Sequence, residues 1–326
     1  MAAAAGGPKG LALMPIDRFA FGHWLARATR PRGLFGASIG AWRMAAAAQT
    51  DCLAAFERLE HAYLALQRYQ ARPSPAQVSH VCRDMVRWLM NDDAAGFLNA
   101  IAPGNALHLI TARQVGPGGP LASFARATLA NAVGRHRLAA HLQRVIFSHA
   151  DHALGAVPQD GFGAHRVELV AANAQDALLA SGSIPLIAQA VDAPDGAPAG
   201  RYWDGGLVDY HLHYRYAALD GLVLYPHFVP YLTAGWLDKS LPWRRHGIGA
   251  AGQGWLDNVL MVVPSDALLA RLPNGKLPDR TDFRAYGLDH DRRLRDWRRA
   301  ISECGRMADE FAQFVERPDP GRLQAL

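Results

Sequence analysis

The 326-residue chain has few cysteines, few charges and no long apolar run. Its cysteines, Cys52, Cys82 and Cys304, cannot form a closed set of disulfides, and their spacing is not typical of metal ligands. No apolar run reaches the ~18 residues of a membrane span. The N-terminus lacks the charged and apolar regions of a signal peptide. These absences predict a globular protein of the reducing cytoplasm.

Half of the residues are hydrophobic and 19% are charged, which allows a large core. No linker rich in Ser, Gly and Pro divides residues 1–326, so we expect a single domain. Apolar runs alternate with helical patterns, which predicts an α/β layered fold with a largely parallel central sheet flanked by helices. The predicted strands are Gly33–Phe35, Leu107–Ala112, Arg144–Ser148, Arg166–Val170, Leu222–Tyr225 and Val259–Val263. The predicted helices are Ile39–Ala48, Leu53–Tyr69, Pro75–Met90, Ser123–Leu142 and Asn173–Leu179.

A further helix is predicted over about residues 291–315. Its apolar residues recur at steps of three and four and form one stripe, whereas arginines occupy much of the remaining surface. The stripe comprises Leu294, Trp297, Ile301, Cys304, Ala308, Phe311 and Val315. This pattern favours a surface helix docked on the core, and a basic helix lying on a membrane surface is the alternative.

The segment Gly36-Ala37-Ser38-Ile39-Gly40 reads G-x-S-x-G. A short apolar stretch precedes it, and good helix formers follow it. A serine between a strand and a helix can occupy a sharp turn with its hydroxyl exposed, and small glycines permit that turn. We therefore predict that Ser38 is a nucleophile.

Three further segments accompany this motif. Gly6–Gly10 is a glycine-rich loop that includes Lys9, Ala180–Pro185 reads A-S-G-S-I-P, and Asp204-Gly205-Gly206 reads D-G-G. In this order, with G-x-S-x-G between the first and second, they resemble the patatin-like phospholipases. The resemblance covers roughly residues 5–210 and carries no diagnostic motif beyond them.

The resemblance implies a Ser-Asp dyad without histidine, in which Asp204 takes the proton of Ser38. It also implies an oxyanion hole in the glycine loop. Ala5 stands where the family has its first glycine, and Pro8 has no N–H to donate. The expected oxyanion donors are therefore Gly6 and Gly7. Only a short alanine run precedes this loop, so we expect either that its first strand is a stub or that the natural chain begins further upstream.

These residues predict a lipid acyl hydrolase, of phospholipase A or lysophospholipase type, that cleaves fatty acyl esters through a Ser38 acyl-enzyme. The alternatives are an esterase of small esters, an acyltransferase, or a catalytically silent lipid-binding protein. No cofactor and no metal is expected. His211 and His213 would lie on one side of a strand, but no third ligand has suitable spacing. No nucleic-acid motif is present.

Peripheral contact with a membrane is a further hypothesis. The chain has a formal net charge of +5, and the segment Pro230–Arg245 mixes aromatics, leucines and cations without a helix or strand period. Trp and Tyr favour the membrane interface, and arginine is attracted by anionic headgroups. In the alternative interpretation, Trp236 and Trp243 pack against the core beneath a loop.

Overall fold

The computed structural model describes residues 1–158, 160–247 and 254–324. Its strands are β1 (Ala2–Ala3), β2 (Arg32–Ala37), β3 (Asn105–Gln114), β4 (Leu142–His149), β5 (Ala164–Glu168), β6 (Val191–Asp192), β7 (Arg201–Asp204), β8 (Val223–Pro226), β9 (Tyr231–Thr233), β10 (Arg245–Gly247) and β11 (Val259–Val262). Its α-helices are α1 (Met14–Phe19), α2 (Ile39–Ala47), α3 (Cys52–Ala65), α4 (Pro75–Leu89), α5 (Ala94–Asn99), α6 (Pro120–Val133), α7 (Ala171–Ser181), α8 (Asp266–Arg271), α9 (Thr281–Tyr286) and α10 (His290–Glu316).

The fold is mixed α/β, with a central sheet flanked by helices. The sheet runs in the order β1-β2-β3-β4-β5, with β7 also paired to β3 and β6 paired to β7. The prediction of parallel pairing is confirmed for β1–β2, β2–β3 and β4–β5. It does not extend to β4 and β7, both of which run antiparallel to β3. The later strands form two separate ribbons, β9–β10 and β8–β11.

Strand β3 organises the centre of this sheet. It pairs with β4 over Leu107–Gln114, so that edge of β3 is fully used. Strands β2 and β7 must therefore share the opposite edge. Their last residues face adjacent positions of β3, because Ala37 pairs with Ile110 and Asp204 pairs with Thr111. The two strands run towards each other along β3 and end side by side.

Most of the predicted elements are confirmed within a few residues, and the reasons are local. Helix α4 begins at Pro75 behind a capping box, in which Ser74 and Gln77 each accept from the other's backbone N–H. The predicted helix Ser123–Leu142 is instead two pieces. Helix α6 stops at Gly134, which adopts an extended conformation, and a 3-10 turn follows over Arg135–Ala140.

The C-terminal helix α10 packs against α1, α3 and the 3-10 turn Gly7–Leu13. Its predicted stripe is buried from Leu294 to Phe311, which confirms docking on the core. One connected cluster of buried hydrophobic side chains runs from Ala2 to Phe311. Within the described ranges, no helix combines the length and apolarity that crossing a membrane requires.

Candidate active site

Ser38 lies at the sharp turn between β2 and α2. Its φ of +58° and ψ of −130° are unfavourable for a residue with a Cβ. The flanking glycines allow the turn because the backbone packs against itself. A Cβ at Gly36 would stand 2.4 Å from the Gly40 carbonyl oxygen, and one at Gly40 would stand 1.9 Å from the Ala3 carbonyl oxygen. At both glycines of the G-x-S-x-G motif, a larger residue is therefore excluded by steric clash with the backbone.

Asp204 ends β7 and begins the D-G-G turn. Its carboxylate accepts a 2.7 Å hydrogen bond from the Gly206 N–H, which fixes the side chain at the start of a short 3-10 turn. A Cβ at Gly205 would stand 2.1 Å from the Ile110 carbonyl oxygen, so only glycine fits against β3 there. The turn thus holds the carboxylate at the end of the strand.

The structure brings Ser38 and Asp204 together. Their strands end at adjacent positions of β3, and the Ser38 side chain lies close enough to the Asp204 carboxylate to lower its pKa. Burial raises the pKa of Asp204, whereas the positive charge of Arg280 and the hydrogen bonds from Ser38 and Gly206 act to lower it. A serine beside a buried carboxylate is the arrangement that proton transfer from a serine requires.

The A-S-G-S-I-P segment holds both members of the pair. The Ser181 hydroxyl accepts a 2.9 Å hydrogen bond from the Ser38 N–H and donates a 2.7 Å bond to the Ile110 carbonyl. Two residues later, the Ser183 carbonyl accepts a 2.7 Å bond from the Asp204 N–H. The end of α7 is therefore bonded to the backbone of Ser38 and of Asp204.

The glycine loop lies beside Ser38. Gly7 has a φ of +57° and lines the same cavity as Ser38, and Gly6 precedes the 3-10 turn that Gly7 begins. The first N–H groups of such a turn have no acceptor within it. The Lys9 side chain of this loop packs on an aromatic ring, with its Nζ 4.6 Å from the centre of Phe228. Strand β1, just ahead of the loop, is two residues long.

A cavity of about 370 Å³ opens at Ser38. Much of its wall is apolar, a property that suits a hydrocarbon chain. This apolar part includes Trp42, Val78, Met85, Ile184, Ile187 and Phe283. A smaller crevice, lined in part by Asp204 and Trp236, shares Ile184 and Arg280 with it.

Arg280 is a component of the site that sequence reasoning missed. It precedes α9, lines both the cavity and the crevice, and its positive charge acts on Asp204. Its Nε lies 3.1 Å from the position that a Cβ on Gly7 would occupy. The only sequence signal was a basic residue within a short polar segment, which no motif distinguished.

The predicted strand arrangement of His211 and His213 is wrong. The segment forms no strand, and Leu212 between the two histidines has a φ of +44°. His211 is buried, accepts a 2.9 Å hydrogen bond from the Thr233 N–H at Nδ1, and stacks on Tyr210. In the part of the chain that the structure describes, no three His, Cys, Asp or Glu side chains group as metal ligands.

Comparison with known proteins adds no assignment to this geometry. No protein-family model matches the chain, and no curated protein matches it.

Proposed function

We propose that this protein is a serine acyl hydrolase that acts on fatty acyl esters with a two-residue dyad. The observation that carries the proposal is the juxtaposition of Ser38 and Asp204 at adjacent strand ends, with Ser38 lining a largely apolar cavity. The strained turn at Ser38 supports it, since such conformations persist where a function requires them. The patatin-like subtype is part of the proposal and depends on the motifs.

In the proposed reaction, Asp204 accepts the Ser38 hydroxyl proton as the serine oxygen attacks the ester carbonyl. The N–H groups of Gly6 and Gly7 stabilise the oxyanion of the tetrahedral intermediate. Its collapse breaks the bond to the leaving alcohol, which receives the proton from Asp204. Water then gives a proton to Asp204, attacks the acyl-enzyme and releases the carboxylic acid, while the proton returns to Ser38.

The apolar wall of the cavity favours an acyl chain, so phospholipids, lysophospholipids and neutral lipids are candidate substrates. An alcohol in place of water would make the same acyl-enzyme an acyltransferase. If the cavity accepts only short acyl chains, the enzyme would be an esterase of short esters. All three activities use the same dyad, and they differ in what enters the cavity and resolves the acyl-enzyme.

Peripheral membrane contact through α6 is part of the proposed function of this cytoplasmic enzyme. Leu129 and Val133 on α6 are each 70% exposed. Trp243 is 75% exposed and lies near the end of α6 in space, because the adjacent Arg244 donates to the Ala132 carbonyl. Between Asp93 and Asp151 the sequence has no Asp or Glu, whereas Arg126 and Arg137 are exposed there. An apolar helix face with a basic surround fits an anionic lipid surface.

This surface differs from the Pro230–Arg245 segment considered from sequence. Trp236 is half-buried and packs on Phe124 of α6, with ring centres 5.7 Å apart. Asp238 is buried and bonded to Asn131, which fastens the segment to α6. The Arg245 side chain lies outside the described residues. Among the aromatic residues of Pro230–Arg245, Trp243 is the exposed one, whereas Tyr231 and Trp236 are partly buried.

Labelling with a fluorophosphonate probe tests the proposed function. We expect the probe to attach to Ser38, as read by peptide mass spectrometry, and to leave the Ser38→Ala protein unlabelled. Turnover of esters of graded chain length then separates a lipid hydrolase from an esterase of short esters. A folded protein that binds lipid but neither labels nor turns over any ester would be the silent binder.

A further inference from the structure

Three arginines line the Ser38 cavity, the exposed Arg284 and the less exposed Arg280 and Arg293, and the latter two form no ion pair with a described carboxylate. The Arg280 side chain makes no hydrogen bond or ion pair with any described residue, although it lies against Gly7. Arg293 of α10 is 1% exposed and donates a hydrogen bond to the Gln67 carbonyl, while its buried Nε finds no partner among the described atoms. Both guanidinium groups line the cavity.

Asp204 acts on Arg280 from the adjoining crevice, but no described acid forms an ion pair with Arg280 or Arg293. Asp279 and Asp282 each pair with Lys276, at 2.8 and 2.6 Å. None of the described residues that line the cavity is an Asp or a Glu. Arg293 is instead placed near aromatic rings, 4.6 Å from the Phe283 centre. A buried cation without a paired anion is unfavourable, so Arg293, which is buried with an unpartnered Nε, favours an anion in the cavity.

We propose that this cavity binds an anionic group, a carboxylate or a phosphate, on the same molecule as the acyl chain. Arg280 contacts the anion, and Arg293 adds positive charge from the wall. The inference rests on the proposed function, and it narrows the substrates to acyl esters that carry a negative charge. The planar guanidinium suits both anions because it donates two parallel hydrogen bonds.

The charge of the cavity also argues against other occupants. A cationic headgroup would meet the like charges of the cavity's arginines, and a neutral ester would bury Arg280 and Arg293 further without pairing them. An anionic amphiphile satisfies both parts of the cavity, since its chain meets the apolar wall and its charge meets Arg280. Selectivity would then arise from the groups that a neutral ligand leaves unpaired.

Calorimetric titration of the Ser38→Ala protein tests binding without turnover. The ligands are octyl phosphate, octanoate and octanol, all below their micelle concentrations. We expect at least one anion to bind about tenfold or more tightly than octanol. Preference for octyl phosphate would identify a phosphate headgroup, and preference for octanoate a carboxylate. Equal binding of all three ligands, or no binding, would overturn the inference.

Two further variants in the same background assign the effect to the cavity. Arg280→Gln should bring anion binding to within about threefold of octanol. Arg298→Gln removes the same charge from an exposed position of α10 and should keep the preference. An Arg280→Gln protein that still prefers the anion would overturn the role of Arg280.

The outcomes also separate this inference from the proposed function. Anion-selective binding by a protein that a fluorophosphonate does not label would retain the anion site and refute the hydrolase. Ester turnover without any preference for charged ligands would retain the hydrolase and refute the anion site.

Discussion

The Ser181 hydroxyl accepts the backbone N–H of Ser38 at 2.9 Å. The same hydroxyl donates to the Ile110 carbonyl, so one small side chain joins α7, the turn before α2 and strand β3. All of these groups are buried, and the turn itself is strained. Ser181 therefore supports the conformation that aims the Ser38 hydroxyl.

Replacing Ser181 with Ala should impair both stability and turnover. The buried Ser38 N–H would lose its acceptor, at a cost of ~1–3 kcal/mol in the free energy of unfolding. A displaced nucleophile should lower kcat ~10-fold or more. Urea unfolding and steady-state hydrolysis of p-nitrophenyl butyrate measure the two effects. Ser183→Ala is the control, because that hydroxyl bonds only to the Leu179 carbonyl one turn back. Equal kcat values for the two variants would contradict the assignment.

The dyad itself predicts two losses of activity. Ser38→Ala should lower ester turnover by ~10³-fold or more, since the nucleophile is absent. Asp204→Asn should lower it by ~10²–10⁴-fold, because an amide does not accept the serine proton. Asp192→Asn changes an exposed aspartate and should retain activity. Circular dichroism checks folding, and substantial turnover by either folded dyad variant would refute its role.

The pH dependence of kcat/KM should report the pKa of Asp204. Burial raises this pKa, and activity falls as the pH decreases through it, because a protonated Asp204 cannot act as a base. The charge of Arg280 lowers the same pKa, so Arg280→Gln should move the acidic limb to higher pH. Arg298→Gln should leave the limb in place. A shift to lower pH, measured with a neutral soluble ester, would contradict this electrostatic relation.

The glycines of the Ser38 turn should not tolerate a methyl group. Gly40→Ala would place a Cβ 1.9 Å from the Ala3 carbonyl oxygen, and we expect a loss of about 3 kcal/mol or more in the free energy of unfolding. Gly305 provides the contrast, because it lies within α10 with open space around its Cβ position. Gly305→Ala should stabilise the protein by ~0.5–1 kcal/mol. Chemical denaturation compares the two variants, and similar stabilities would be unexpected.

Binding to vesicles tests the α6 surface. Wild-type protein should co-sediment with anionic vesicles, less so at high salt. Leu129, Val133 and Trp243 replaced together by Ser should weaken binding ~10-fold or more, and hydrolysis of p-nitrophenyl butyrate should be unaffected. The matched variant replaces three exposed leucines outside α6, Leu222, Leu288 and Leu323. If both variants bind like the wild type, or if the wild type does not bind, α6 is not the docking surface.

The sequence predicted those parts of the site that local chemistry determines. A G-x-S-x-G turn and a D-G-G turn need glycine for steric reasons that are visible within a few residues. The helix boundaries were predictable where a cap exists, as at Ser74 and Pro75. The C-terminal stripe was predictable because its period is sustained over many turns.

Strand direction and distant charges were not predictable in this way. Strand β4 has the same apolar character whichever way it runs beside β3, so its antiparallel pairing leaves no local trace. Strand β7 has four residues, too few for a clear alternation. Arg280 follows the motif-bearing part of the chain by many residues, and the tertiary fold places its side chain against Gly7 and near Asp204.

Because β2 and β7 share one edge of β3, the dyad forms only when both strands are in the correct register. The position of Ser38 relative to Asp204 depends on the register of β2 and β7 along β3. A slip of β7 by one residue would turn Asp204 to the other face of the sheet, and a slip by two would carry it about 6.8 Å along β3. Either error would separate Asp204 from Ser38 and so remove the base from the nucleophile. A molecule with β7 in the wrong register would therefore be inactive even where it remains folded.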